Sequence, residues 1–384
     1  MSDAPPDHAL LPPLLPAHEL ARWAAEGQRV VVPAGEAVIR EGQTGDAMFI
    51  LLEGELAVTV KGKRIDYLLP GSVLGEMAML DDRLRSATAV AVGEAHLVRI
   101  ERAQFHDLIR RHPAFATGIM NIMSVRTRRL MEEEVKRQRM EEELAIGRRI
   151  QLSLLPRGCP QVPGYAFAAG YRAAHEVGGD LYDFIVQPDN RAKIHIVIGD
   201  VTGKGVPAAL YMAVSRTLMR TYALDGSSPG QALTRINDFI SHDAASPLLL
   251  SAFYGVLDAD SGRLAYASAG HNPPLWLHAA TGELEALESR GLLLGAFRDF
   301  VADERAIALA PGDFVVFFTD GITEARRADG LFFDDEGLEA IVRAGPWSGA
   351  EELLTAIVLG VDAFAAGAAQ ADDFTVVVLQ RLPA

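Results

Sequence analysis

The sequence predicts a multidomain protein of the α+β class, because three regions of different character follow one another. After a proline-rich start, a stretch to about residue 100 consists of short apolar runs separated by glycines, which is typical of a small all-β domain. A highly charged helical stretch comes next, and beyond Pro156 β-type runs alternate with longer helical patterns. A chain of 384 residues with 49% hydrophobic content is long enough for roughly two or three domains that each bury a core.

Charge and cysteine content narrow the class of partner and the compartment. The formal net charge of -15 argues against nucleic acid and anionic membranes as partners, since those contacts depend on clustered Lys and Arg. We therefore expect protein or small-molecule partners. The single cysteine, Cys159, excludes an intrachain disulfide, and no apolar run is long enough to predict a membrane span. The start "MSDAPPDHALLPPLLP" lacks the basic segment of a signal peptide, so the cytoplasm is the expected location.

The charged stretch "RTRRLMEEEVKRQRMEEELAIGRR" (126–149) predicts one exposed helix, because it has no proline and its first glycine is Gly147. Two positions of a heptad repeat carry a partly apolar set, namely Leu130, Leu144 and Gln151 in one and Met140, Gly147 and Leu154 in the other. This imperfect seam favours a parallel dimeric coiled coil over residues 126–155, which makes a homodimer the expected assembly. The alternative is a single solvated helix with i,i+4 ion pairs.

The stretch "GDVTGKGVPAALYM" (199–212) allows two roles for Asp200. It lacks the spacing of a phosphate-binding loop, because Lys204 stands between two glycines and no Ser or Thr follows it. The run before it, "KIHIVI", predicts a strand, and Pro207 is placed where the first turn of a helix tolerates proline. Asp200 thus lies at a strand end, where it either caps the helix or acts as a metal ligand or catalytic carboxylate.

Further carboxylates share this setting, since four acidic clusters adjoin apolar runs that predict strands. They are Asp180 in "EVGGDLYDF", Asp200 in "VIGDVTG", Asp320 in "FVVFFTDGITEA", and Asp372 with Asp373 in "ADDFTVVVL". Desolvating a carboxylate costs several kcal/mol, and the nearest basic residues, Lys204 and Arg326, are too few to neutralise the set. Divalent cations would neutralise it, and oxygen ligands without a His or Cys group favour magnesium or manganese over zinc. Two such ions form a hydrolytic site for phosphate esters.

Six motifs follow one another over about residues 145–382, namely "RRIQLSLLP", "VGGDLYDF", "GDVTGKGVPAALYM", "ASAGHNPPL", "FFTDGITEA" and "DDFTVVV". In this order they resemble the stage II sporulation protein E family of bacterial serine/threonine phosphatases, a branch of the metal-dependent phosphatase 2C-like superfamily. The resemblance implies an α-β-β-α phosphatase sandwich over residues 156–384, with each aspartate at a strand end. It also implies a protein substrate that carries phosphoserine or phosphothreonine, usually an anti-sigma-factor antagonist.

The same resemblance implies a role for each candidate ligand of two Mn2+ or Mg2+ ions. Asp200 is the carboxylate shared by both ions, and the carbonyl of Val201 binds one of them. Asp320 and Asp372 complete the shell of the other ion, while Asp180 acts through metal-bound water or as a further ligand. These four aspartates are therefore the expected catalytic residues.

Some positions depart from the family's pattern or are weaker candidates. Thr202 stands where eukaryotic relatives carry a histidine proposed as the leaving-group acid, so proton donation is expected from metal-bound water. His271, in a turn before Pro273, is expected to be structural. The arginine that binds substrate phosphate in those relatives has no evident counterpart. Asp183 and Asp373 are the weaker ligand candidates, because a neighbouring aspartate already fills each role.

The segment "GSVLGEMAMLDDRLRSATAVAV" (71–92) contains a Glu76 and Arg85 pair, for which spacing alone favours a surface ion pair. Together with "GEAVIREGQTGDAMFILLEGELAVTV", the segment resembles the cyclic nucleotide-binding domain of catabolite activator proteins and cyclic-nucleotide-dependent kinases. The resemblance covers about residues 17–125 and implies a β-roll with helices. It also implies that Glu76 holds the ribose 2'-hydroxyl and that Arg85 holds the cyclic phosphate.

Neighbouring residues complete the predicted nucleotide site. Gly75 lets the backbone come close to the ligand, and Ser86 and Ala87 offer backbone or hydroxyl contacts. Ser86 is compatible with cAMP, whereas a threonine would favour cGMP, so cAMP is the expected effector. Leu74 replaces a phenylalanine that is common before the Gly-Glu pair. The helical segment 115–129 is expected to cap the base before it continues into the coiled coil.

These observations lead to one hypothesis and two alternatives. The hypothesis is a cyclic-nucleotide-regulated, metal-dependent protein phosphatase with a flexible N-terminus (1–16), a nucleotide domain (17–125), a coiled-coil linker (126–155) and a phosphatase domain (156–384). A catalytically inactive pseudophosphatase that binds or sequesters a partner is the first alternative, although every expected carboxylate is present. A transcription factor is the second, but no helix-turn-helix follows the β-rich region and the net charge has the wrong sign.

Overall fold

The computed structural model describes residues 22–81, 83–242 and 248–383. Residue contacts divide the chain into two units, with the division between Gln138 and Arg139. The predicted flexible N-terminus lies outside the described residues. Both units contain helices and strands, which confirms the predicted multidomain α+β class. Among the described helices, none combines the length and the apolar character that crossing a bilayer requires.

The first unit is mostly β-structure, as the short apolar runs predict. Its strands are β1 (Gln28–Val32), β2 (Ala37–Ile39), β3 (Ala47–Glu53), β4 (Leu56–Val60), β5 (Lys63–Leu68), β6 (Val73–Leu74), β7 (Thr88–Ala91) and β8 (Ala95–Glu101), and its short helices are α1 (Met77–Leu80) and α2 (Arg102–Arg111). The strands form two antiparallel four-stranded sheets, in the orders β1-β8-β3-β6 and β2-β7-β4-β5. A third helix, α3 (Pro113–Leu154), begins in this unit.

An aromatic cluster packs the helices of the first unit onto its sheets. The rings of Trp23 and Phe115 meet edge to face with centroids 4.8 Å apart, and those of Phe105 and Phe115 meet at 5.5 Å. All three side chains are buried, together with Met48 and Ile50 of β3. Such aromatic pairs add about 0.5–1.5 kcal/mol beyond their buried area. The start of α3 is therefore fixed by the core of this unit.

The second unit contains the mixed pattern seen beyond Pro156. Its strands are β9 (Tyr165–Arg172), β10 (Leu181–Val186), β11 (Lys193–Val201), β12 (Leu250–Asp258), β13 (Arg263–Ala269), β14 (Leu275–Leu277), β15 (Leu284–Ala286), β16 (Glu304–Ala308), β17 (Phe314–Phe318) and β18 (Phe374–Arg381). Its helices are α4 (Val206–Leu224), α5 (Pro229–His242), α6 (Asp320–Thr323), α7 (Asp334–Arg343) and α8 (Ala350–Ala365). The strands form two five-stranded antiparallel sheets, β10-β11-β12-β13-β16 and β15-β14-β17-β18-β9.

Three apolar cores order these elements into four layers. Side chains from both sheets, such as Phe253 and Phe317, fill the core between the sheets. A second core joins α4 and α5 to the sheet that contains β11, and a third joins α7 and α8 to the sheet that contains β18. Strand β11 is buried on both faces from Ile194 to Gly199, because helices cover one face and the other sheet covers the opposite face. The order helix, sheet, sheet, helix places both sheets inside.

The charged stretch 126–149 lies within α3, which confirms the predicted helix. Leu130 and Met140 of the heptad seam are exposed. Gln151, in contrast, is buried, because its Nε2 donates to the Gly178 carbonyl at 2.5 Å and its Oε1 accepts from the Gly178 N–H at 3.0 Å. The heptad pattern did not predict this contact. Gln151 thus holds the end of α3 to a loop of the second unit. Because its side chain is used in this contact, it is not part of the predicted heptad seam.

Candidate functional site

Two pairs of strands bring the predicted catalytic aspartates to one region of the second unit. Asp180 directly precedes β10 and Asp200 lies near the end of β11, and the register that pairs Leu181 with Gly199 places both at the same edge of their sheet. Asp320 follows β17 and Asp372 precedes β18, which are neighbours in the other sheet. In each pair the strands are antiparallel, so the end of one strand lies beside the start of its partner. This pairing brings Asp180 close to Asp200, and Asp320 close to Asp372.

Asp180 connects the two sheets at this edge. Its Oδ2 accepts hydrogen bonds from the Thr319 hydroxyl at 2.7 Å and from the Thr375 hydroxyl at 2.6 Å. Thr319 directly follows β17, and Thr375 lies in β18 of the second sheet. The side chain of Asp180 is buried, and burial together with the charge of Asp200 raises its pKa well above the usual value. The two hydroxyl bonds oppose that rise but do not cancel it.

Burial and repulsion by neighbouring carboxylates also raise the pKa values of Asp200 and Asp320. Burial and the charge of Asp320 raise the pKa of Asp200 to about 7, against the opposing effect of a side-chain hydrogen bond with Asp180. Burial, Asp372 and Glu324 likewise raise the pKa of Asp320. Within the described chain, the one basic side chain paired with this group is Lys204, whose Nζ lies 3.0 Å from Asp372 Oδ2. The cluster therefore holds more negative charge than its protein surroundings neutralise.

The donor atoms fit a hard divalent cation in chemistry. The four candidate side-chain ligands are carboxylates, and the carbonyl oxygen of Val201 adds a neutral oxygen that faces Gly179. A β-carbon at Gly179 would lie 2.8 Å from that carbonyl oxygen and 3.3 Å from Asp200 Oδ1, so only glycine leaves this space open. As they stand, no three His, Cys, Asp or Glu side chains of the described residues converge closely enough to hold a metal ion. A cation would have to draw these carboxylates together.

The two weaker ligand candidates are bound to the protein itself. Asp373 accepts hydrogen bonds from the backbone N–H groups of Ala174, Gly179 and Asp180, at 2.8, 2.6 and 3.4 Å. It thereby fixes the loop that carries Asp180. Asp183 is paired instead with two arginines of α4 and makes no contact with the other candidate ligands.

The arginines beside Asp183 were missed at the sequence level. Arg216 Nη2 lies 2.9 Å from Asp183 Oδ2 and Arg220 Nη1 lies 2.7 Å from the same oxygen. Burial raises the pKa of Asp183, and the two guanidinium groups oppose that rise. The signal was available, because Arg216 and Arg220 are four residues apart and so share one face of a helix. The expectation that no arginines accompany the acidic clusters is therefore wrong for Asp183.

Thr202 and His271 are both used structurally. The Thr202 hydroxyl accepts a hydrogen bond from the Leu249 N–H at 2.8 Å, which extends the pairing at the end of β11. His271 is buried, and its Nδ1 lies 2.8 Å from the Ser251 hydroxyl oxygen. Burial lowers the pKa of His271 to about 4, so the ring is neutral at pH 7. His271 thus has the buried, structural contacts that the sequence interpretation expected of it.

The predicted nucleotide residues meet in the first unit. Glu76 and Arg85 are both buried, and Gly75 has a φ of 78°, which side-chain-bearing residues rarely adopt. A β-carbon at Gly75 would lie 2.4 Å from Arg85 Nη1. The Arg85 guanidinium donates to the Gly75 carbonyl at 2.9 Å and to the Ala47 carbonyl at 2.5 Å. Glu76 and Arg85 do not form the surface ion pair that spacing alone favours.

Arg126 of α3 is the partner of Glu76. Its Nη1 donates to Glu76 Oε1, and its Nη2 donates to the Val73 carbonyl at 2.6 Å. The Glu76 side chain is 2% exposed, whereas the Arg126 side chain is 32% exposed. Arg126 belongs to the segment 115–129 that was expected to cap the base, but its contact with Glu76 was not predicted. Ser86 is exposed and Ala87 half-buried beside the same turn.

Two family models match the chain. The model "Stage II sporulation protein E (SpoIIE)" matches residues 190–382, and the model "Cyclic nucleotide-binding domain" matches residues 29–112. The solved SiaA-PP2C domain of Pseudomonas aeruginosa has a TM-score of 0.56 and 20% identity, and the alignment covers 64% of this chain and 98% of that chain. At this identity the likeness shows the fold alone. Fold and domain matches together define a protein that joins a cyclic nucleotide-binding domain to a PP2C-type phosphatase domain.

Curated relatives agree with this class. Phosphoserine phosphatase RsbU of Bacillus subtilis is 31% identical over 247 residues, which are 64% of this chain and 71% of RsbU. Protein IcfG of Synechocystis is 27% identical over 85% of this chain, and the cyclic AMP receptor protein of Thermus thermophilus is 33% identical over 28% of it. The chain spans about half the length of these last two relatives (55% and 51%). It belongs to the stage II sporulation protein E family.

Proposed function

We propose that this protein is a metal-dependent phosphatase of phosphoserine or phosphothreonine in a protein substrate, and that a cyclic nucleotide regulates it. One observation carries the catalytic half. Asp180, Asp200, Asp320 and Asp372 lie at one edge of the sandwich, and burial together with the charges of Asp320 and Asp372 raises the pKa of Asp200 to about 7. Two divalent cations would relieve this excess charge. When bound, Mg2+ or Mn2+ activates water as a nucleophile and neutralises charge on the phosphoryl oxygens.

The chain's own residues prepare the site for this chemistry. Asp200 would be shared by both ions, and the Val201 carbonyl, with Gly179 opposite, would bind one of them. Asp320 and Asp372 would hold the other ion. Because Lys204 pairs with Asp372, a cation has to compete with the Lys204 ammonium for this carboxylate.

Hydrogen bonds fix Asp180 before any ligand arrives. Thr319 and Thr375 donate to its carboxylate. The Asp373 carboxylate accepts hydrogen bonds from the backbone N–H groups of Gly179 and of Asp180 itself. A carboxylate held in this way loses little orientational freedom when it binds a ligand, which is the general advantage of preorganisation. Asp180 is therefore assigned as a further ligand or as a ligand through water.

The substrate class is supported by the relatives. RsbU is named a phosphoserine phosphatase, and it is 31% identical to this chain. We assign the substrate as an anti-sigma-factor antagonist that carries phosphoserine or phosphothreonine, as the family resemblance implies. Position 202 carries a threonine and not a histidine, and the Thr202 hydroxyl accepts a hydrogen bond from the Leu249 N–H. Solvent at the site would therefore protonate the leaving serine.

The regulatory half rests on the nucleotide domain and on α3. Glu76 would accept from the ribose 2'-hydroxyl and Arg85 would bind the cyclic phosphate, with Gly75, Ser86 and Ala87 around them. The likeness to a cyclic AMP receptor protein favours cAMP over cGMP. Helix α3 runs on from the nucleotide domain without a break, and its exposed apolar residues support a dimeric coiled coil over about residues 126–155. The nucleotide would act by favouring one state of this helix over another.

The test is phosphate release from a phosphoserine-bearing antagonist domain, with manganese titrated in and with cAMP or cGMP present or absent. The control is Asp320→Asn, which keeps the shape of the side chain and removes its charge. We expect manganese-dependent turnover in the wild type, a change of rate with cAMP, and at least a hundredfold lower rate in the control, the order of magnitude that a preorganised charged group at a reacting centre contributes. If neither this substrate nor p-nitrophenyl phosphate is hydrolysed, the pseudophosphatase alternative replaces the proposal.

A further inference from the structure

A small cavity adjoins the candidate catalytic aspartates and has no role in the chemistry described above. Its volume is about 370 Å3, near the lower limit of ligand pockets. Gly321 and Ala371 line it, and these residues are the direct chain neighbours of Asp320 and Asp372. Consecutive Cα atoms are about 3.8 Å apart, so the cavity begins one residue from the catalytic cluster. We call it the Arg326 pocket, after the cationic residue on its rim.

The floor and walls of the Arg326 pocket are apolar. Val361 of α8 and Phe374 of β18 are 2% and 3% exposed and form its inner surface. Alanines line much of the remainder, namely Ala325, Ala365, Ala368, Ala369 and Ala371. These alanines are exposed or half-buried, so an aliphatic side chain from another molecule could lie against them and gain about 25 cal/mol for each Å2 of apolar surface buried.

The rim carries two guanidinium groups, of which only one is neutralised. Arg172 is paired with Asp362 at 2.8 Å. Arg326 stacks on the ring of Phe332, with its guanidinium carbon 4.2 Å from the ring centroid, and no carboxylate of the described residues pairs with it. Stacking holds the guanidinium in place without consuming its charge or its hydrogen-bond donors. The Arg326 guanidinium beside this apolar pocket can therefore pair with a carboxylate of another molecule.

We propose that the Arg326 pocket docks the segment of the phosphoprotein substrate that flanks its phosphoresidue. An aliphatic side chain of that segment lies against the alanines that line the pocket, and a Glu or Asp of the same segment pairs with Arg326. This inference rests on the proposed phosphatase function, because a phosphate held by a cation at Asp320 and Asp372 would bring its neighbouring residues over the pocket. It assigns a specificity residue to the chain, where the sequence showed no arginine for the substrate.

The test uses two synthetic phosphoserine peptides that differ only in charge, one with Leu and Glu on both sides of the phosphoserine and one with Leu and Lys. We measure kcat/KM for manganese-dependent phosphate release at 150 mM salt for the wild type, Arg326→Glu and Arg327→Glu. Arg327 is the matched control, because it is the next residue, is exposed and is already paired with Asp329. Salt at this concentration screens charges beyond about 8 Å, so a general field effect is small.

We expect the wild type to prefer the Glu peptide by about threefold, the size of one exposed ion pair. Arg326→Glu should reverse this preference, and Arg327→Glu should retain it. Hydrolysis of p-nitrophenyl phosphate, which has no flanking residues, should be unchanged in both variants. An unchanged peptide preference in Arg326→Glu, or an equal reversal in Arg327→Glu, overturns the proposal.

A binding measurement separates this proposal from the proposed activity. Fluorescence anisotropy of the same labelled peptides is recorded with Asp320→Asn and with Asp320→Asn that also carries Arg326→Glu. If the wild type hydrolyses no phosphate ester but the charge preference appears in binding and is reversed by Arg326→Glu, the docking site stands and the catalytic assignment fails. Ala368→Phe tests the apolar half, since a ring there fills the pocket. It should weaken binding of both peptides severalfold, and unchanged binding overturns the assignment of the floor.

Discussion

Arg126 pairs with the Glu76 carboxylate, which the proposed ribose contact of a cyclic nucleotide would also need. Replacing Arg126 should therefore tighten nucleotide binding. Arg126 donates to Glu76 and to the Val73 carbonyl. A nucleotide whose ribose hydroxyl bonds to Glu76 must displace this guanidinium or share the carboxylate with it. The perturbation that tests this competition is Arg126→Gln, which removes the charge and keeps most of the side-chain volume.

The structure sets the size of the effect. A hydrogen bond to a charged group contributes about 1.5–3 kcal/mol, and leaving Glu76 buried without a partner carries a cost of similar size in the ligand-free state. Because the Arg126 side chain is 32% exposed, solvent screening reduces the value to the lower end, about 1.5 kcal/mol. Since 1.4 kcal/mol corresponds to a factor of ten, Arg126→Gln should bind cAMP about tenfold more tightly than the wild type.

The assay is isothermal titration calorimetry with cAMP and cGMP at 50 and 500 mM salt. The control is Arg128→Gln, which removes an exposed cation two residues along the same helix. We expect the tenfold gain only in Arg126→Gln, and a smaller gain at high salt because the ion pair is partly exposed. Weaker binding in Arg126→Gln would refute the reasoning, because it would mean that Arg126 assists the nucleotide instead of competing with it.

Two further predictions concern stability and coupling. Burial, reinforced by the charge of Lys193, lowers the pKa of His195 to about 4 from 6.5. The folded state therefore has its full stability above about pH 6.5, and this stability is lost as the pH falls towards 4 because the unfolded chain takes up the proton more readily. The loss approaches about 3 kcal/mol, and denaturant unfolding of His195→Asn should show a flatter pH profile in this window than the wild type. Four residues inserted into α3 rotate its two ends by about 40° and should abolish the effect of cAMP on turnover, whereas seven residues restore the heptad register and should retain it. Equal cAMP responses in the two insertions, with both units folded, would contradict the coupling.

Strand ends and glycine turns made most of the architecture predictable. The pattern "KIHIVI" before Asp200 is a buried strand, and Pro207 lies in the first turn of α4, as the sequence suggested. The other predicted strands next to acidic motifs are also present, so Asp180, Asp320 and Asp372 each lie beside the end of a strand. What the sequence could not give is which strands become neighbours, because β9 pairs with β18 across about 200 residues and no local pattern specifies such a partner.

The sequence predicted which aspartates would meet at one edge of the sheets, but it did not predict the side chains that hold them there. Asp180 was identified from its motif, but the hydroxyl donors Thr319 and Thr375 come from distant strands, and only the fold brings them together. The sequence placed Gln151 in the heptad seam of a coiled coil and Arg126 at the start of that coiled coil. Gln151 instead makes a buried contact and Arg126 a part-buried one, and such contacts depend on what packs against the helix and not on its own sequence pattern.

The pairing of β9 with β18 also sets an order of events during synthesis on the ribosome. The core of the first unit uses residues up to Ile122, so it can form while most of the chain is still untranslated. The edge that holds Asp180 is completed only when Thr375 and the rest of β18 have emerged, and at about 5–20 residues per second this takes roughly 10–50 s longer. A nascent chain would thus acquire its nucleotide site well before its phosphatase site, and any early cyclic nucleotide would meet a chain that cannot yet act on a phosphoprotein.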